Sequence, residues 1–329
     1  MPHGPELLRI LSDGRFHSGE ALGKALGVGR AAVWKRIRAL RAAGLDLDSV
    51  PGRGYRLAEP LELLDPEIVA AALDASVRAG LGPLEVHHEV DSTNSELLRR
   101  AAVLPSGAVC LAESQRAGRG RRGRVWHSPC ARNLYLSLLW RFSRGPEALG
   151  GLALVVGLAV RAALEDAGVP GVAVKWPNDV LHQGAKLAGA LIELSGEAGG
   201  ASCVIIGVGI NVSMPQALGS AAITQAWTDA ERAAGAPVSR NRLAAAVLGR
   251  LSAALALFGE QGLEPFLDEW RAHDALAGRP VVVQGMEIVH GIARGVDVDG
   301  ALLMEDEAGV VSRWLSGDVS VRAEGEAKP

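Results

Sequence analysis

Aromatic residues are scarce in this 329-residue chain: Phe, Tyr and Trp together make up 4% of it. Because 48% of the chain is nonetheless apolar, its core has to be assembled from aliphatic side chains. Cysteine is scarcer still. Cys110, Cys130 and Cys203 are odd in number, far apart and form no C-x-x-C pair, which argues against a disulfide framework or structural zinc and fits a reducing cytoplasm. Long hydrophobic runs are missing as well: residues 148–160 are the longest uncharged apolar stretch, short of the roughly 18 to 20 residues that span a bilayer. That stretch reads as a buried helix, so no membrane partner is expected. The opening Met1-Pro2-His3-Gly4-Pro5-Glu6 has neither the basic head nor the apolar stretch of a signal peptide, so secretion is not expected. There is no internal repeat, and charged residues at 22% place the chain with globular proteins rather than disordered or fibrous ones. No Ser-His-Asp or Cys-His arrangement offers a nucleophile for a covalent enzyme intermediate.

What is present divides along the chain. The length fits two or three domains, and charge is unevenly spread. Residues 1–60 hold ten Lys/Arg against six Asp/Glu, so this segment is +4 in a chain whose net charge is −3, and the remainder is −7. A basic module with an acidic partner, nucleic acid first, is joined to an acidic body. Helical spacing of Leu7, Leu8, Ile10 and Leu11 predicts a first helix ended by Asp13-Gly14. Ser18 is placed to cap a second, closed by Gly27, and Val33, Ile37 and Leu40 line a third over residues 30–43, stopped by Gly44. So short a turn between the last two predicts a helix-turn-helix that presents Arg30, Lys35, Arg36, Arg38 and Arg41 away from the apolar side. The hairpin expected around Pro51-Gly52-Arg53-Gly54 supplies a wing with a basic tip. The alternative is a small packing module whose charges only keep a helix face solvated; basic wing and basic helix together favour DNA.

Beyond Glu59-Pro60 and Asp65-Pro66, strand-like and helix-like segments alternate, as in an α/β or α+β domain. Strands are expected at 109–113, 134–140, 172–176, 187–194 and 203–212, and helices at 148–167, 242–258 and, shorter, 265–271. From residue 280 to 321 five short β-like runs, the last Val319-Ser320-Val321, predict a small β-barrel of SH3 type.

Gly118-x-Gly120-x-x-Gly123 matches a dinucleotide-binding fingerprint only in letters. The intervening residues are arginines, no helix follows, and no Gly-Lys-Ser/Thr makes it a Walker loop. What it offers is Arg119, Arg121, Arg122 and Arg124 on a glycine-loosened, mobile backbone, suited to a ligand with several negative oxygens. A solvated basic turn is the competing reading of the run in isolation. Its neighbours are Asp91-Ser92-Thr93-Asn94, which either caps a helix or grips a polar head; Lys175-Trp176-Pro177-Asn178-Asp179; Lys186-Leu187-Ala188-Gly189; and Gly207-Val208-Gly209-Ile210-Asn211.

In this order and spacing the set, with Gln115-Arg116-Ala117 leading into the basic loop, resembles the bacterial biotin-protein ligases, and the preceding winged helix makes the likeness that of the bifunctional ligase and biotin operon repressor. The resemblance runs over nearly the whole chain. It implies a winged helix-turn-helix over residues 1–62, a mixed α/β catalytic domain of class II aminoacyl-tRNA synthetase type over 63–275 and an SH3-like domain over 276–329. The activity it implies is condensation of biotin with ATP, in the presence of Mg²⁺, to biotinyl-5′-adenylate, then transfer to a lysine of a biotin carboxyl carrier protein. By the same resemblance Ser92, Thr93, Asn94, Gln115, Arg119, Gly120, Arg121, Lys186, Gly207 and Gly209 bind biotin. ATP falls to Arg119, Arg121, Arg122, Trp126, Lys175, Asn178, Asn211 and Trp227. Lys186 matches the family's catalytic lysine, and Arg121 the position that retains the adenylate. Asn178 and Asp179 would help to place Mg²⁺ or the incoming lysine. Operator DNA would be met by Arg30, Lys35, Arg36, Arg38 and Arg53, through a homodimer favoured by the adenylate.

The chemistry agrees, because joining a carboxylate to an α-phosphate brings two anions together and fixed cations lower that barrier. Three alternatives remain at this point: a lipoate-protein ligase, a repressor without catalysis, and a ligase whose N-terminal domain no longer reads DNA. Cys130 and Arg132, close to the basic loop, have no role in this reading.

Overall fold

The computed structural model describes residues 4–195, 201–215, 223, 225–285, 287–316 and 320–323. The first unit packs α1 (Gly4–Leu11), α2 (Gly19–Ala25) and α3 (Arg30–Ala42) beside the hairpin of β1 (Leu47–Val50) and β2 (Gly54–Leu57). Ser18 caps α2 as expected, its hydroxyl accepting from the Ala21 amide at 3.0 Å. Leu7, Leu8, Leu11, Leu22, Val33 and Ile37 form a core too small to need aromatics.

Between this unit and the next, the linker is held by a buried charge cluster. The Arg240 guanidinium lies 2.8 Å from Glu113 and donates to the Asn133 carbonyl, while Glu113 also accepts from the Leu64 amide at 2.6 Å. Both charged side chains are almost fully buried, a placement that is tolerable only because each is paired. Glu62 completes the anchor by accepting from the Arg240 amide.

The central unit is a seven-stranded sheet. Its strands are β3 (Leu84–His87), β4 (Val109–Ala112), β5 (Leu134–Phe142), β6 (Val172–Lys175), β7 (Asp179–His182), β8 (Ala185–Ser195) and β9 (Ser202–Ile210), in the order β3-β4-β5-β9-β8-β7-β6. All neighbours are antiparallel except β3 and β4. α4 (Pro66–Ala71), α5 (Ala75–Gly80), α6 (Thr93–Arg100), α7 (Leu152–Asp166), α8 (Ala230–Ala234), α9 (Arg240–Gln261) and α10 (Leu267–Ala272) complete it.

Two expectations are corrected. The helix predicted over 148–167 starts later, at Leu152, because Gly151 adopts φ +75° and separates it from a 3₁₀ turn at Pro146–Leu149. Strand β7 lies where none was expected; it is only four residues long. By length and composition α9 could cross a bilayer, but Leu243, Val247, Leu248, Leu251, Leu255 and Phe258 are buried in the core shared with α7.

The last unit is an antiparallel sheet of β10 (Pro280–Gln284), β11 (Ile288–Val296), β12 (Leu302–Glu305), β13 (Val311–Trp314) and β14 (Ser320–Ala323), ordered β13-β12-β11-β10-β14. Val319, expected in the last strand, lies outside the described residues. This unit docks on the central one where the Trp176 indole donates to the Gly300 carbonyl at 3.0 Å.

Candidate functional site

A single cleft gathers the dispersed motifs. Ser92, Thr93, Asn94, Gln115, Arg119, Gly120, Arg121, Arg122, Trp126, Asn178, Asp179, Lys186, Gly207, Gly209, Asn211 and Trp227 all line it. Its apolar wall includes Trp176, Ala190, Leu191 and Val208, with Val321 reaching in from the C-terminal sheet. Lys175, expected at the nucleotide, is not in the wall: it is 5% exposed at the end of β6.

One end of the cleft is a polar network at the start of α6. Ser92 holds the N-cap position, yet its hydroxyl makes no capping hydrogen bond; the simple capping alternative therefore fails for it. The Gln115 carbonyl oxygen accepts from the Thr93 amide at 2.9 Å. Asn94 is 2% exposed and donates its amide to the Leu191 carbonyl and to Glu193 at 2.7 Å, while its Oδ1 accepts from the Ser137 hydroxyl at 2.6 Å. Leu191 O and the Glu193 carboxylate are acceptors only, so the orientation of the Asn94 amide is determined by chemistry.

The Gly-x-Gly of β9 has a packing reason for its glycines. A Cβ on Gly207 would collide with the Asn94 side chain, and one on Gly209 with the Trp126 indole. Both residues line the cleft, and their absent side chains let Asn94 and Trp126 lie flat against the sheet.

Backbone bonds draw the basic segment into a hairpin. Gly120 N donates to Arg124 O at 2.7 Å, Trp126 N to Gly118 O at 2.9 Å, and Arg119 pairs with Val125. At its tip Arg122 takes φ +57°, a left-handed conformation that costs a residue with a side chain on the order of 1 kcal/mol. From this hairpin Arg119 reaches Glu193 at 3.1 Å and Ser95 at 3.0 Å, and Arg121 reaches Asn178 Oδ1 at 3.5 Å. Burial pulls the Arg121 guanidinium below its ordinary value, with Arg122 and Arg124 adding to this and Asp179 opposing. An anion placed there would relieve the crowding of cations.

Lys186 and Asp179 face each other on the β7–β8 hairpin, 2.6 Å apart. The ammonium lies 5.5 Å from the Trp126 ring centroid. The segment around Trp227 is tied to Lys186 by two backbone bonds, from Lys186 N to Ala226 O and from Thr228 N to Lys186 O. Asn211 spends its amide nitrogen on Thr228 O at 3.0 Å, which leaves Oδ1 as the atom to receive a donor. Arg232 lies 4.8 Å from the Trp227 ring centroid. The Trp126 Nε1 donor is buried with no acceptor among the described residues, as expected of a group that a ligand completes.

Arg124 of the basic run lines the cleft too, as do His127 and Gln225, which sequence reasoning did not assign. Cys130 and Ala131 pack into the core of the winged helix, and Arg132 pairs with Glu59 of the linker at 3.2 Å. These two unassigned positions therefore join domains. Burial pushes the thiols of Cys110 and Cys130 up to about 12, and all three cysteines are free.

On the winged helix Arg30, Lys35, Arg38 and Arg53 are exposed. Arg36 is not fully so, and its NH1 is buried without an acceptor among the described residues. Arg41 is exposed as well, as expected, and donates to the Leu47 carbonyl at 2.8 Å. Arg53 of the wing lies over Phe16, 4.1 Å from the ring centroid.

Sequence profiles divide the chain in the same order. Residues 6–56 match a helix-turn-helix domain, 87–211 the biotin/lipoate A/B protein ligase family and 277–322 the biotin protein ligase C-terminal domain. The bifunctional ligase/repressor BirA of Salmonella typhimurium is 45% identical over 96% of this chain and 97% of its own length. That of Escherichia coli is 44% identical over 97% of each. Among solved structures, the biotin protein ligase of Aquifex aeolicus in complex with biotin and ATP superposes with a TM-score of 0.63 at 32% identity, covering 73% of this chain and 99% of that one. Relatives this similar over nearly their full length, matched by a chain that carries both the cleft and the winged helix, show its kinship: the chain belongs to the bifunctional biotin-protein ligase/repressor family.

Proposed function

We propose that the cleft activates biotin with ATP and passes the biotinyl group to a lysine of a biotin carboxyl carrier protein, and that the winged helix carries the same signal to operator DNA. The observation that supports this most is the meeting, in one cleft, of a neutral polar network, a hairpin of arginines and the Lys186–Asp179 pair. Ser92, Thr93, Asn94 and Gln115 supply the mixed donors and acceptors that a ureido ring requires. The apolar wall of Leu191 and Val208 suits its aliphatic chain, and the arginines and Lys186 face the phosphates.

In the first step a carboxylate oxygen bonds to the α-phosphorus as the bond to pyrophosphate breaks. In the second the acceptor amine attacks the acyl carbon and AMP leaves. Lys186 stabilises the charge that gathers on the α-phosphate in the first step, and Arg121 retains the adenylate that forms. The hairpin excludes water from the acyl-adenylate in between. Asn178 and Asp179 are oxygen donors suited to a Mg²⁺ that arrives with ATP, and no cluster of three metal-binding side chains occurs among the described residues. Such a donor set fits an ion held mainly by phosphates and water; when bound, it neutralises phosphate charge.

A homodimer would give the repressor its two-fold symmetry. Beyond Ala190, the side of β8 away from β9 carries no paired strand among the described residues, and a free edge of this kind supports dimerisation by sheet extension. We place the domain boundaries at 62/63 and 275/276, and the protein, with three free thiols, in the cytoplasm.

Incubation with ATP, Mg²⁺, a carrier domain and either biotin or lipoate, followed by mass measurement of the carrier, tests the reading. A biotinyl adduct is expected; a lipoyl adduct in its place overturns it. Operator affinity measured with and without biotin plus ATP tests the second half, and no change between the two refutes the coupling.

A further inference from the structure

Glu193 belongs to none of the motifs, yet it joins the two parts of the cleft that come from different segments. It sits on β8 with its side chain 23% exposed. Its Oε2 accepts from the Asn94 amide at 2.7 Å and from Arg119 at 3.2 Å, and its Oε1 lies 3.1 Å from the same guanidinium. Asn94 is the buried residue seated on Gly207, whereas Arg119 opens the basic hairpin. The remaining side-chain partner that holds Arg119 is a neutral hydroxyl, Ser95 Oγ at 3.0 Å.

We infer that Glu193 is a positioning residue for the ligase reaction: it fixes the Asn94 amide toward the ligand's polar head and holds the arginine hairpin closed over the cleft. The inference rests on the assignment of Asn94 and Arg119 to ligand binding. A carboxylate suits both tasks because both of its oxygens face donors: Oε2 meets the Asn94 amide and Arg119, and Oε1 meets Arg119. A carboxamide in its place has a single accepting oxygen and turns an N–H toward one of the two donors. Glu193 is not among the residues that line the cleft and acts through Asn94 and Arg119, so its effect falls on capture and retention, not on bond making.

The test compares Glu193→Gln and Glu193→Asp with the unaltered full chain, in biotin binding, in release of preformed biotinyl-adenylate followed by tryptophan fluorescence, and in transfer from bound adenylate to a carrier domain. Loss of a charged hydrogen bond at a partly exposed site predicts biotin affinity about tenfold weaker. Release should be faster by a similar factor, with the transfer rate from bound adenylate little changed. Glu193→Asp, which keeps the charge on a shorter arm, should fall between. Circular dichroism and thermal unfolding identify a variant that does not fold; the inference is then judged on the other.

Unchanged binding and release in folded variants overturn the inference. So does a loss confined to the transfer rate. Arg119→Ala separates this from the reading beneath it. If Arg119→Ala leaves binding and release untouched, the ligand-binding role of the hairpin fails. If it impairs them while both Glu193 variants do not, only the role of Glu193 fails. Non-additivity in Glu193→Gln/Arg119→Ala is expected of groups that act through one contact.

Discussion

Lys186 Nζ lies 2.6 Å from Asp179 Oδ1 across the β7–β8 hairpin, so the cation proposed to act at the α-phosphate is already held in the cleft by a carboxylate. The pair sits next to the Gln183-Gly184 turn, where both residues have positive φ. The turn sets the pairing of Leu181 with Lys186, and a register shift between Val180 and Leu181 leaves Asp179 opposite Gly189, so the backbone and not the ion pair sets this geometry. Removing the cation should therefore reduce chemistry more than folding. Lys186→Ala is expected to slow adenylate synthesis by roughly 10²- to 10³-fold, the usual effect of deleting one preorganised stabiliser of developing charge. Pyrophosphate release under saturating biotin and ATP measures it; a full rate removes Lys186 from the mechanism.

Arg121 is half-buried among Arg122 and Arg124, an arrangement that favours an anion and opposes its departure. Arg121→Gly should leave adenylate synthesis in place but let the product escape, which would biotinylate lysines of bystander proteins. Serum albumin added as a bystander reports this. Labelling no greater than with the unaltered chain would separate Arg121 from retention.

Gly207 is predictable from its neighbour. A side chain there meets Asn94, which the Leu191 carbonyl and Glu193 hold in place. Gly207→Ala must therefore shift a buried, fully bonded amide, an overpacking that costs about 1–3 kcal/mol. Biotin binding should weaken by about tenfold or more, with ATP hardly affected. Calorimetric titration with each ligand tests the difference, and equal losses for both would point to general disruption.

Much of this was legible in the residues. The helix spacing of Val33, Ile37 and Leu40 and the turn at Pro51-Gly52 specify the winged helix, because its contacts are local in sequence. The cleft motifs could be collected because each contains a turn or a glycine at a strand end. Contacts between segments distant in sequence, and backbone geometry, could not. Glu193 is one of several charges on an ordinary strand, and its meeting with Arg119 spans 74 residues; no local pattern encodes that contact. Lys175 lies in a motif with Asn178 and Asp179, yet the strand direction at β6 keeps it out of the cleft wall, a matter of sheet register rather than composition. The hairpin form of the basic segment depends on backbone bonds such as Gly120 N to Arg124 O, which leave no mark on residue type. Cys130 and Arg132 acquired a meaning only once the winged helix was seen to pack against them.

Asp274 gives the stability of the chain a pH dependence. Burial pushes its carboxyl from 3.8 up to about 6, and its Oδ2 is buried with no partner among the described residues. Between those two values the folded chain keeps a proton that the unfolded chain has lost, so stability falls as pH rises from about 4 to 6. Above pH 6 the buried charge costs about 3 kcal/mol. Asp274→Asn keeps an oxygen to accept from the Leu276 amide, 2.9 Å away in the parent, and removes the charge. It should raise stability at pH 8 by about 1–2 kcal/mol, less than the full term because the new amide N–H also lacks a partner. Urea unfolding at pH 4, 6 and 8 checks this. An unchanged slope between pH 4 and 6 would assign that dependence to another group.

Trp34 makes the DNA reading specific. It stands on the solvent side of α3, 52% exposed, although every apolar neighbour on that helix that could bury it, Val33, Ile37 and Leu40, points inward. Arg38, one turn on, lies 4.8 Å from the ring centroid, so the indole and guanidinium form one unit on the exposed side of the helix proposed to enter the major groove. An apolar ring there suits a thymine methyl, whereas the surrounding Lys35 and Arg30 suit phosphates. The two contributions separate experimentally because phosphate contacts respond to salt and base contacts respond to sequence. Trp34→Ala should weaken operator binding about tenfold while leaving affinity for unrelated DNA and the dependence on salt almost unchanged. Lys35→Ala should weaken both classes of DNA alike and reduce the salt slope by about one. If Trp34→Ala lowers both affinities equally, the ring is a packing element of the domain and the sequence must be read by other residues of α3 or the wing.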